Sequence, residues 1–137
     1  MSACCAAATS PRDLTPWDCF ERGLRTLRQP PLPLLGKRVA GTDGRWARFS
    51  LQLGDGRVQE LHFACSHCAT LIACCQALVD LNQGCAVQAP VVRDAAPLLA
   101  RLPGVPASKQ ACAILAAAAL GSALHTARTT ALHTEPS

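Results

Sequence analysis

The chain has 137 residues, half of them hydrophobic and only 16% charged, which describes one globular domain with a real core rather than a disordered segment. Its net charge of +4 is spread out, densest at Arg22, Arg25 and Arg28, so charge argues only weakly for an acidic partner. Two tryptophans, three phenylalanines and no tyrosine leave few platforms for base stacking, and nucleic acid is not an expected partner.

Residues 1–12 are small and featureless and read as a flexible tail that carries Cys4 and Cys5. A helix is expected from Asp13 to Leu27. Thr15 suits the cap, Pro16 the first turn, and Trp17, Phe20, Leu24 and Leu27 recur at helical spacing. Pro30, Pro31 and Pro33 end it. Leu34 to Gly41 reads as an edge strand. From Trp46 to Leu53, apolar and polar residues alternate with the period of a half-buried strand. Gly54-Asp55-Gly56 is a tight turn, and Arg57 to Ala64 returns beside it. A helix with a wide buried face follows to about Asn82, stopped by Gly84. After a looser stretch come a short helix near Arg93–Leu102, a break at Pro103–Pro106, and an Ala-rich helix from Lys109 to about Thr126. A flexible tail is expected over 128–137. The order implies an α+β two-layer domain over 13–127, a small antiparallel three-stranded sheet packed against helices.

Cysteine is the unusual component. There are nine, an odd number, with adjacent pairs at Cys4-Cys5 and Cys74-Cys75 that fit no simple disulfide framework. The start shows no secretory pattern, and the apolar stretch Ala111–Leu124 reads as too short to span a membrane. A reducing, cytoplasmic setting with no membrane partner is therefore expected. Cys19, Cys74 and Cys75 lie on helical patterns and read as packing residues. Cys68 and Cys112 each fall in the first turn of an expected helix, where unpaired N–H groups and the helix dipole favour a thiolate. Cys65 precedes Cys68 by three residues, a spacing that lets both reach one metal, with His67 between them. A carboxylate, Asp43, can join from the Gly41–Gly44 loop if that loop lies beside the helix starts.

The segments Trp46–Leu81 and Pro103–Leu124 resemble the NifU/IscU-type iron–sulfur cluster scaffold family. That family joins a strand hairpin to a Gly-Cys-Gly-Ser-Ala-Ile-Ala-Ser-type helix start, where this chain has His67-Cys68-Ala69-Thr70-Leu71-Ile72-Ala73. It also has a Pro-Val-Lys-Leu-His-Cys-type stretch opening a long helix, where this chain has Pro106-Ala107-Ser108-Lys109-Gln110-Ala111-Cys112. The resemblance implies that Cys68 and Cys112 match the second and third cluster cysteines and Lys109 the family lysine. Asp43 stands where the family has its first cysteine, Arg45 where it has an aspartate, and Ala111 where it has a histidine. Cys65 and His67 are additions that can replace the missing ligands.

The resemblance further implies a scaffold or carrier, not an enzyme. Its cargo would be a labile iron–sulfur cluster, [2Fe–2S] in the first instance, or zinc in its place. Expected partners are a cysteine desulfurase, chaperones, acceptor proteins and a second copy in a homodimer. Within it, Cys112 is the expected sulfur acceptor, on the ground that it starts an accessible helix. Two alternatives stay open. Cys65 and Cys68 form a Cys-x-x-Cys pair usable by a thiol–disulfide oxidoreductase, and the loss of the first cysteine and the histidine suits a diverged, purely interacting member.

Overall fold

The computed structural model describes residues 15–86, 95–102 and 104–134. The expectations for residues 1–14, 87–94 and 103, including the helix start at Asp13 and the thiols of Cys4 and Cys5, lie outside that set. Helix α1 spans Pro16–Leu27, with the Thr15 hydroxyl accepting from the Asp18 N–H at 3.1 Å. The strands are β1 (Leu34–Leu35), β2 (Val39–Ala40), β3 (Trp46–Gly54) and β4 (Arg57–Cys65). Helix α2 is Ala69–Asn82 and α3 is Ala95–Arg101. A 3₁₀ turn at Ala107–Lys109 leads into α4, Gln110–Thr134.

The α+β class holds, with four strands where three were expected. Central strand β3 pairs along its length with β4, while β1 and β2 share its other edge, all antiparallel. The expected single strand from Leu34 to Gly41 is split in two. Leu34 faces Leu51, but Val39 faces Ala47, so the register slips by one residue between them. The cause lies in α4. The Lys37 N–H donates to the Ser122 hydroxyl at 2.9 Å, diverting the strand edge towards that helix. The hairpin turn needs left-handed backbone at both central residues, Asp55 (φ 57°) and Gly56 (φ 73°).

The inner face of the sheet carries Ala47, Phe49, Leu51, Val58, Leu61, Phe63 and Cys65, all buried. Phe49 and Phe63 face each other with ring centroids 5.9 Å apart, an aromatic pair contributing about 0.5–1.5 kcal/mol beyond its buried area. Helices α2 and α4 pack against this face, α1 packs on α2, and α3 packs on α4. The expected wide face of α2 proves to be burial nearly all round, from Leu71 through Val79. That is why its sequence is apolar without a polar stripe.

A polar clasp fixes α1 to α2. Arg22 pairs with Asp18 at 3.0 Å and with Asp80 at 2.7 Å, and Thr26 donates to Gln76 at 2.6 Å. Arg22 is therefore engaged inside the fold rather than offered to an acidic partner, leaving Arg25 and Arg28 as the exposed cations of that group. On the outer face, the proline segment crosses the sheet. Leu32 N–H donates to Ser50 Oγ at 2.9 Å, and the His62 ring lies 3.0 Å from the Pro30 carbonyl and 2.9 Å from Glu60. Sequence alone identified no partner for His62.

Helix α4 runs on to Thr134, eight residues past its expected end near Thr126 and through most of the expected tail. This corrects the reading that the apolar stretch is too short to span a bilayer. Residues Ala107–Thr129 are long and apolar enough by length and composition, but 56% of that stretch's most apolar window is buried within the fold. Its small residues let it lie close to the strands. A Cβ placed on Gly36 would sit 2.8 Å from the Ala123 backbone, whereas one on Gly121 meets nothing. Gly36→Ala should therefore lower unfolding stability by about 1–3 kcal/mol in urea titrations. Gly121→Ala should instead be neutral or stabilising by up to about 1 kcal/mol.

Candidate functional site

The two first-turn cysteines meet. Strand β4 ends at Cys65, Ser66 N–H donates to the Trp46 carbonyl at 3.0 Å, and the chain then turns so that Cys68 becomes the N-cap of α2 with extended backbone. Cys112 sits in the first turn of α4, which crosses the same end of the sheet. The two sulfurs are 3.9 Å apart. Two thiolates on one tetrahedral metal with bonds of about 2.3 Å lie about 3.8 Å from each other, so the pair is spaced to share an ion without rearrangement.

The loop between β2 and β3 closes on this pair. Gly41 N–H donates to the Arg45 carbonyl at 2.7 Å, and Gly44 adopts φ 89°, which a side chain would resist. Arg45 N–H donates to Asp43 Oδ1 at 3.1 Å, and its guanidinium Nη1 reaches Asp43 Oδ2 at 2.7 Å and Cys112 Sγ at 3.7 Å. The loop therefore does reach the helix starts, but it presents a cation to the sulfurs. Asp43, nearly half exposed, is held by that cation.

The two thiols differ in character. At Cys68, burial opposes ionisation, but the Leu71 N–H, the Cys112 thiol, Arg45 and the Thr70 N–H together outweigh it and lower the pKa. The sulfur makes no conventional capping hydrogen bond, so the N–H groups act through their field. At Cys112, burial and the neighbouring Cys68 raise the pKa, against the pull of Arg45 and Lys109. Cys112 is 1% exposed whereas Cys68 is only partly covered. This reverses the expected ranking, because Cys68 is both the more accessible and the more readily ionised of the two.

The remaining residues from the sequence reading fall elsewhere. Cys65 is 5% exposed on the inner sheet face, with its thiol against that of Cys75. Cys65 thus faces the core, whereas Cys68 is only partly covered. His67 is exposed and lines a hollow with Phe20, Leu24, Leu27, Arg28, Ala69 and Ile72. Lys109 lies in the turn before α4, close enough to act on Cys112 by charge. Burial pushes Cys19 up to about 11 and Cys74 up to about 12, as packing thiols require. Among the described residues, no group of three or more His, Cys, Asp or Glu side chains is arranged to hold a metal ion. What sequence reasoning missed is Arg45 as a site residue. Its signal was the exchange of charge at that position in the resemblance.

Residues 21–131 match the family described as NifU-like N terminal domain. No curated protein matches the chain at a significant level.

The electrostatics generate a pH prediction. A lowered pKa means that the reactive thiolate is present at lower pH. Iodoacetamide labelling of Cys68 should therefore set in at lower pH than labelling of free cysteine. Arg45→Gln should move that onset to higher pH, and Cys19 and Cys74 should stay unlabelled until the protein unfolds. Mass-mapped alkylation across a pH series measures all three.

Proposed function

Since the chain belongs to the NifU-like N-terminal domain family, a family of iron–sulfur cluster assembly scaffolds, we propose that Cys68 and Cys112 hold a nascent cluster as cargo, or a zinc ion in its place. The observation that carries this reading is the 3.9 Å separation of the two sulfurs at adjacent helix starts. Thiolates suit both iron–sulfur clusters and zinc.

Two thiols supply half of a tetrahedral metal's ligands. Asp43 can become a third if its ion pair with Arg45 opens, and Lys109 and Arg45 offset the negative charge that thiolates and sulfide bring. The remaining positions fall to sulfide, a small thiol or a second copy of the chain. A [2Fe–2S] cluster bridging two chains would use two thiolates from each, and a homodimer would then complete the site. Incomplete ligation from one chain suits a cargo that must leave. As a scaffold the protein catalyses no reaction of its own. It would receive sulfur from a cysteine desulfurase and pass the cluster, with chaperones, to acceptor proteins.

Anaerobic reconstitution with ferrous iron and sulfide tests the reading. Wild type should gain visible charge-transfer absorbance with bound iron and sulfide, and Cys68→Ser and Cys112→Ser should each lose most of it. Cys65→Ser should load like wild type. Asp43→Cys adds a thiolate and frees Arg45, and it should slow cluster loss to a chelator by about tenfold or more. A wild type that binds no iron would sink the proposal.

A further inference from the structure

We propose that Cys68 and Cys112 also form an exchangeable dithiol, which reacts with small-molecule disulfides of the glutathione class and closes to an intramolecular disulfide that shuts the site to metal or cluster. Among the described residues, this pair combines a short sulfur separation with access from solvent. Among the described free cysteines, Cys19, Cys65, Cys74, Cys75 and Cys112 are buried and Cys68 alone is partly open. Among these, an incoming disulfide meets Cys68 first. Behind it, 3.9 Å away, lies Cys112, within reach of the sulfur just modified. Cys68 has extended backbone at the N-cap, where its carbonyl accepts from the Ile72 N–H at 2.9 Å but its side chain makes no capping bond, so the side chain can turn towards Cys112 without breaking a helical bond. Arg45, 3.7 Å from Cys112, supplies a cation where negative charge develops as that thiol gives up its proton.

The chemistry balances. The Cys68 thiolate attacks one sulfur of the disulfide, forming a mixed disulfide and expelling one thiolate. The Cys112 sulfur then attacks Cys68 Sγ and expels the second thiolate, which takes the proton from Cys112. Two protein thiols are oxidised and one small disulfide is reduced to two thiols. In a reducing buffer the same steps run backwards. The exchange stands on the sulfur geometry alone, whereas the exclusion of cargo rests on the scaffold reading.

The test uses the metal-free full chain, equilibrated in a series of reduced and oxidised glutathione mixtures, quenched by alkylation and mapped by mass spectrometry. Wild type should gain a Cys68–Cys112 crosslink. Cys112→Ser should stop at a glutathione adduct on Cys68, and Cys68→Ser should take up no glutathione at Cys112 under native conditions. A crosslink from Cys68 or Cys112 to any other cysteine, or a Cys68–Cys112 pair that stays reduced in oxidised glutathione while free cysteine oxidises, would overturn the proposal. Iron and sulfide are then offered to the reduced and oxidised forms. Loading of the reduced form alone supports exclusion, and equal loading of both refutes it. Failure of the reduced form to load, with the crosslink intact, refutes the scaffold reading and with it the exclusion, and leaves the exchange established.

Discussion

The contact between Cys68 and Cys112 joins residues 44 positions apart in sequence, and the rest of the structure is what makes that contact possible. It requires the first turns of α2 and α4 to end up at the same edge of the sheet. Strand β4 delivers α2 there, with its register fixed by the Asp55–Gly56 turn and by the pairing of Phe49 with Phe63. Helix α4 is brought down by its small residues. Ala113, Ala116, Ala119, Ala123 and Ala127 are all buried, and the backbone of Gly36 approaches Ala123 too closely for any side chain. The Ala-rich composition is thus a packing requirement of the site as much as a helix propensity.

The second constraint is charge. Where the family resemblance sets a cysteine and an aspartate, this chain has Asp43 and Arg45, and the two neutralise each other at 2.7 Å. The loop therefore contributes a guanidinium to the sulfurs instead of a third soft ligand. A fixed cation favours anionic sulfur without a metal. Lys109 adds to the same field. The consequence is an asymmetric pair, with one half-buried and more readily ionised thiol in front of a buried, reluctant one.

Much of this was legible in the sequence, and the reasons are specific. Cys68 and Cys112 were found because both stand at helix starts, a local property that needs no knowledge of the fold. The hairpin was found because Gly54-Asp55-Gly56 permits little else. Cys65 was harder, since strand alternation decides its face and only the pairing of Ala47 with Cys65 fixes the register. His67 follows from where α1 lies, which the local pattern does not encode. The split between β1 and β2 depends on a hydrogen bond to Ser122, 85 residues from Lys37. The end of α4 was placed too early because Arg128 and the polar residues after it read as a tail, whereas the helix continues through them. Arg22 looked like part of a surface patch, and only the packing of α1 on α2 shows that it serves Asp80.

The central claim is that two thiols from two helix starts hold metal or cluster cargo. The most direct measurement is the iron, zinc and acid-labile sulfide content per chain of protein isolated without oxygen, beside the Cys68→Ser, Cys112→Ser double variant isolated the same way. The account predicts a stoichiometric metal in the wild type, with sulfide when that metal is iron, and its loss from a double variant that remains folded. A wild type free of metal, or a double variant that keeps it, would contradict the account.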